Sequence, residues 1–84
     1  MKIYYHPNFA ASYRKLPTLI KLKAEKREAI FRNNPFDKTL KTHKLHGKIR
    51  RLWSFSVDKR YRVLFEFVGR DEIFLDIGDH RFYR

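Results

Sequence analysis

The chain has no cysteine, only three glycines and three prolines in 84 residues, and no apolar run longer than three. Without cysteine there is no disulfide framework, no thiolate nucleophile and no thiolate metal ligand. Runs so short cannot form a membrane-spanning helix. The opening stretch "MKIYYHPNF" also lacks the apolar stretch of a secretion signal, so the expected location is the cytoplasm. No segment repeats and none is of low complexity. Eighty-four residues leave room for one core, so a single domain spanning residues 1–84 is expected. Acidic residues are scarce too. Nine face twenty lysines and arginines, a net charge of +11 that points to a polyanion: nucleic acid first, an acidic protein second, and no membrane.

What is present is enough to fold. A hydrophobic content of 43%, of which aromatics make up much, argues for a core against disorder. "KIYYH" (2–6) reads as a strand stopped by Pro7, and Asn8 can cap a helix whose Phe9, Tyr13 and Leu16 form one stripe. Pro17 and Thr18 restart the chain into a second helix over 18–33. Its apolar members are Leu19, Ile20, Leu22, Ala24, Ala29, Ile30 and Phe31. Pro35 ends it, because a proline disfavours helix in the residue before it. A basic connection (36–48) then leads to three strands joined by hairpin-sized turns at "DK" and "GRD".

Alternation within those strands sorts their faces. Trp53, Phe55 and Val57 share one face, as do Tyr61, Val63, Phe65 and Phe67, and then Ile73, Leu75 and Ile77. Ser54, Ser56, Arg62, Glu66 and Asp76 point the other way, with Phe74 beside Asp76 and with His80 if the register runs through Gly78. The expected fold is α+β, in the order β-α-α-β-β-β. A small antiparallel-rich sheet carries a helical hairpin on one face and leaves a polar, basic face open. Between Lys38 and Arg51 there are six basic residues and no acid, a suitable track for a phosphate backbone.

Taken in order, "HKLHG", "YRVLF" and "IGDHRFY" resemble the RelE/ParE superfamily of bacterial toxins, over about Lys2 to Tyr83. The resemblance implies a RelE-like fold and a cognate antitoxin as partner. For the RelE/YafQ-like branch it implies a ribonuclease acting on mRNA, usually at the ribosome. The ParE-like branch, which inhibits DNA gyrase without being an enzyme, commonly ends in a histidine and an arginine–aspartate pattern that "DHRFYR" lacks. A member that has lost catalysis is the other alternative. His80 and His43 match histidines of the YafQ-like interferases, Arg62 matches the strand arginine of RelE-type enzymes, and Tyr83 resembles their terminal tyrosine. Ser56 and Arg60 depart from the YafQ-like pattern, which has a histidine and an aspartate there.

The chemistry suits these residue types. RNA cleaves when its 2′-hydroxyl attacks the adjacent phosphorus, which needs a base, an acid and a cation at the phosphorane, and no metal or cofactor. Histidine serves the proton steps and arginine the charge. His80, Arg62, Tyr83 and His43 are therefore the candidate catalytic residues. Lys41, Lys44, Lys48, Arg50, Arg51, Arg60 and Arg81 are the candidate RNA contacts. Each has a plain alternative: His80 as a surface or capping residue, Arg62 as a partner of Glu66, Tyr83 as a packing residue, His43 and His46 as ordinary loop residues. His43 and His46 have no carboxylate or thiolate set to complete a metal site. Trp53, by its parity, belongs to the core.

The basic run makes a measurable claim. RNA affinity, followed by anisotropy between low and physiological salt, should fall with a log–log slope of roughly −0.7 per phosphate contacted. A flat response would remove the basic track from the binding surface.

Overall fold

A computed structural model describes residues 1–47 and 51–79. Lys48, Arg50, His80, Arg81 and Tyr83 lie outside the described residues. The elements are β1 (Ile3–Tyr5), α1 (Pro7–Arg14), α2 (Thr18–Asn33), a 3-10 turn (Lys38–Leu40), β2 (His43–Lys44), β3 (Trp53–Ser56), β4 (Tyr61–Val68) and β5 (Asp71–Asp79). They build one five-stranded sheet in the order β1-β5-β4-β3-β2. β1 runs parallel to β5, and the other pairs are antiparallel. The expected α+β architecture is present, with one strand more than expected: the basic connection contributes β2.

The helix boundaries follow local chemistry. Pro7 opens α1, where its preset φ suits the first helical position and its missing N–H leaves nothing unmade. The cap is accordingly His6 and not Asn8: His6 Nδ1 accepts the Asn8 backbone N–H at 3.0 Å. Pro17 caps α2 by its carbonyl, which accepts from the N–H groups of Ile20 and Lys21 at 3.0 and 3.1 Å. α2 ends at Asn34, extended at φ −158° before Pro35. Gly69 supplies the left-handed φ (+61°) needed by the two-residue β4–β5 turn.

Only the stripe Ile20, Ala24 and Phe31 of α2 is buried in the core. Leu19, Leu22 and Ala29, expected on that face, are exposed. A helix lying on a sheet buries the stripe that faces it and no more. Phe31 meets Phe55 stacked at 5.0 Å, Phe65 edge-on at 5.0 Å and Phe74 edge-on at 5.3 Å. Each of those rings comes from a different strand, so one helical residue ties down the middle of the sheet.

β5 departs from simple alternation. Phe65 pairs with Phe74 but Leu64 pairs with Asp76, so Leu75 is an extra residue, a β-bulge. Phe74 and Ile77 are thereby both in the core, while Ile73 and Leu75, expected there, are not. The strand runs on through Gly78 to Asp79, so Gly78 does not break it. Ser54 and Ser56, expected on a solvated face, are buried.

The same parity places Glu72 on the helix-side face, paired with Ile3 and Phe67 and 3% exposed. Its Oε1 has no hydrogen-bond partner among the described residues. Burial first, and the neighbouring Asp71 carboxylate second, raise its pKa above the ordinary glutamate range. A raised folded-state pKa means the folded chain keeps this proton longer than the unfolded chain. Its stability contribution is complete below the unfolded pKa, about 4.3, and is lost as pH rises through the folded value. In thermal unfolding, Glu72→Gln should match the parent in acid and exceed it at neutral pH. Equal melting temperatures at both would show that the carboxylate finds a partner.

Candidate nucleic-acid interface

Both helices lie on one face of the sheet, and residues paired across strands share a face. The register therefore assembles the other face row by row. One row reads His43, Ser54, Leu64 and Asp76. The next reads Ser56, Arg62 and Gly78. A third, toward the opposite end, reads Tyr4, Ile73 and Glu66. Arg62 thus has two small neighbours in its own row, Ser56, which is buried, and Gly78, which is half-buried.

Arg62 is held from below. Its Nη1 donates to the carbonyl of Asp58 at 2.7 Å and to that of Tyr61 at 3.4 Å. Both carbonyls are neutral acceptors, and these two contacts orient the guanidinium. Asp58 builds the turn that does this. Its Oδ1 accepts the backbone N–H groups of Arg60 and Tyr61, both at 2.8 Å, and its Oδ2 lies 3.6 Å from Lys23 Nζ on α2.

His43 is exposed, and its Nδ1 lies 3.0 Å from the Lys41 carbonyl. A carbonyl only accepts, so Nδ1 carries the proton and Nε2 keeps the lone pair of the neutral ring. That is the tautomer of a general base. Strand spacing and rise put His43 and Arg62 roughly 12 Å apart at Cα.

The other candidates are spread out. Lys41, exposed at the end of the 3-10 turn in a left-handed conformation (φ +52°), adjoins His43. Lys44 pairs with Trp53 and so belongs to the helix-side face, away from His43 and Arg62. Arg51 is exposed. Arg60 is exposed and reaches Asp79 at 3.4 Å. Of the expected residues within the described chain, His43 and Arg62 share one face of the sheet, and Lys41 lies two residues before His43.

A larger concavity than any on that face among the described residues lies elsewhere. A cleft of about 430 Å³ opens between α1, α2 and the sheet, floored by Phe9, Phe55, Val63 and Phe74. On its rim Tyr5 donates to Glu28 at 2.8 Å and Tyr13 to Glu25 at 3.1 Å. Burial, and then these carboxylates, push both tyrosine hydroxyls above their ordinary range. The cleft is apolar at its floor and rimmed by two glutamates and Arg14, so it differs in character from the sheet face that carries Arg62 and His43. Sequence reading missed His6, which shares a smaller cleft with Asp76 on that face. Its only signal was a histidine next to the proline that starts a helix.

This fold, a helical hairpin on one face of a five-stranded sheet and an open face on the other, is that of the RelE/ParE-type toxins. YafQ from E. coli strain BL21(DE3) superposes with a TM-score of 0.79 at 17% identity, over 95% of this chain and 93% of that one. A YoeB/ParE toxin from Agrobacterium tumefaciens gives 0.78 at 16%, over 95% and 99%. The RelE of the archaeal RelE–RelB complex from Pyrococcus horikoshii OT3 gives 0.73 at 16%, over 93% and 92%. No protein-family model matches the chain, and no curated protein is similar to it in sequence. At these identities the likeness is one of fold.

The Asp58 turn yields a prediction. Burial raises the Asp58 pKa, but the N–H donors of Tyr61 and Arg60 and the charge of Lys23 outweigh it, and the net shift is downward. A depressed pKa gives stability that is present above the unfolded pKa and lost as pH falls through the folded one. Asp58→Ala should cost about 1–2 kcal/mol at neutral pH, and the deficit should shrink in acid. Denaturant unfolding at both pH values checks it.

Proposed function

We propose that this chain is the toxin of a toxin–antitoxin pair and a metal-independent endoribonuclease that cleaves mRNA, at the ribosome and hence in the cytoplasm. The observation that carries the reading is that an oriented Arg62 and a base-ready His43 lie on one face of the sheet. The fold shared with YafQ and RelE supports it. The RelE of Pyrococcus horikoshii was solved as a complex with RelB, and a partner of the same kind, an antitoxin, is proposed here.

In this mechanism His43 Nε2 takes the proton of the 2′-hydroxyl as its oxygen attacks phosphorus. Arg62 holds the non-bridging oxygens as charge builds on them. The bond from phosphorus to the 5′ oxygen breaks, and that oxygen needs a proton. His80 is assigned as the acid from sequence alone; in the chain it follows by two residues the Gly78 that pairs with Arg62. Tyr83 is assigned as orienter or alternative acid on the same ground. The products are a 2′,3′-cyclic phosphate and a 5′-hydroxyl. The bases that Lys41, Lys48, Arg50, Arg51, Arg60 and Arg81 add along the chain supply the attraction for the backbone.

Cleavage of message by translating extracts tests the reading. Loss of a proton-transfer group costs about 10²–10⁴-fold, so His43→Gln and His80→Gln should each lower turnover by that order. Arg62→Ala should cost about 10²–10³-fold and weaken RNA binding as well. EDTA should leave cleavage unchanged, and a 2′-deoxy residue at the cut site should abolish it. Equal cutting of deoxy substrate, or parental rates in all three variants, would end the ribonuclease reading.

A further inference from the structure

The open face carries a second polar group of residues, toward β1, that the mechanism above does not use. His6, Asn8, Leu64, Leu75 and Asp76 line a cleft of about 150 Å³. That volume accommodates one heterocyclic base but not a whole nucleotide. The cleft exists because of the bulge in β5, which sets two consecutive residues, Leu75 and Asp76, against the same space. It adjoins the proposed reaction centre: Leu64 lies two residues from Arg62 on β4, about 7 Å along the strand.

Its lining has a definite hydrogen-bonding character. Leu64 and Leu75 offer an apolar surface for the flat face of a base. The Asp76 carboxylate is a double acceptor, steadied by the Ile77 N–H, which donates to Oδ1 at 2.8 Å. His6 is a donor. Its Nδ1 is committed to the N–H of Asn8, so in the neutral ring the proton sits on Nε2. A carboxylate beside a single donor is the complement of guanine, whose edge carries the O6 acceptor next to the N1 and N2 donors. Adenine and cytosine each present one donor group beside ring acceptors. Uracil sets a single N–H between two carbonyl oxygens, so a carboxylate that meets that N–H also faces an acceptor.

We propose that this cleft is a nucleobase pocket selective for guanine, seating the base of a residue adjacent to the phosphate that Arg62 holds. Asp76 accepts from the guanine N1–H and amino group, His6 donates to O6, and the two leucines pack on the ring. The proposal rests on the ribonuclease reading in taking single-stranded RNA as the ligand, and it assigns the determinant of base preference.

The test separates the two. The full chain is titrated, by fluorescence anisotropy, with uncleavable hexamers of 2′-deoxyuridine in which one central residue is replaced by guanine, adenine or cytosine. The guanine hexamer should bind about tenfold or more tightly than the all-uracil one, the order that one bidentate base contact supplies. Asp76→Asn keeps the shape and exchanges an acceptor for a donor; it should bring the ratio of guanine-hexamer to uracil-hexamer affinity to about one while leaving circular dichroism unchanged. His6→Gln should reduce it. Equal affinity for guanine and uracil hexamers, or a preference that survives Asp76→Asn, overturns the pocket. Because nothing is cleaved, a guanine preference in a chain that fails to cut message would sustain the pocket and sink only the ribonuclease. Active cutting with no base preference in binding would do the reverse.

Discussion

The contact on which the rest of the structure depends is the insertion of Phe31 among Phe55, Phe65 and Phe74. The rings of the three strands also touch one another, Phe55 meeting Phe65 at 5.8 Å and Phe74 at 5.6 Å. Burying one such side chain is worth about 1.5–3 kcal/mol, a large share of the 5–15 kcal/mol that holds a typical domain together. Edge-to-face and offset geometries add to that figure beyond area alone. The cluster also decides orientation. It draws the helical hairpin to one face of β3, β4 and β5, and so determines which residues remain on the other.

That other face carries no helix among the described residues, although Ser54 and Ser56 on it are buried, and an antiparallel sheet needs cover on one side only. Its chemistry then follows from the register. Arg62 is placed by its strand and aimed by the Asp58 turn, two features that are independent of each other. Asp58 is in turn linked to α2 through Lys23, so the helix layer contacts the turn beneath the candidate site. Some of the cations of this chain of net charge +11 are offset by nearby carboxylates: Arg60 by Asp79, Lys23 by Asp58 and Arg32 by Glu28.

Much of this was legible in advance. The α2 span, its proline-marked start and end, and the facing of Trp53, Phe55, Val63 and Phe65 all follow from local rules that tertiary contacts did not override. The placement of Arg62 on the open face followed from alternation along β4, which is regular at that point. Alternation failed in β5, because a bulge adds a residue and no sequence signal announced Leu75 as the extra one. It also failed to show β2, whose two residues, His43 and Lys44, are too few to carry a period. The separation of Lys44 from His43 across the sheet was hidden for the same reason.

The sequence by itself determined a basic, cysteine-free α+β domain whose helices begin and end at prolines, because charge, propensity and capping act within a few residues of one another. It also determined that a histidine and an arginine would be available for proton and phosphate chemistry. Only the tertiary structure decided that His43, through β2, comes onto the same face as Arg62, and that the Lys41 carbonyl orients its imidazole. Only the structure, likewise, brought His6 of the first strand–helix junction to Asp76 of the last strand. Pairing between β1 and β5 joins residues some seventy positions apart. Such a register is set by the packing of the whole core, which no local pattern contains.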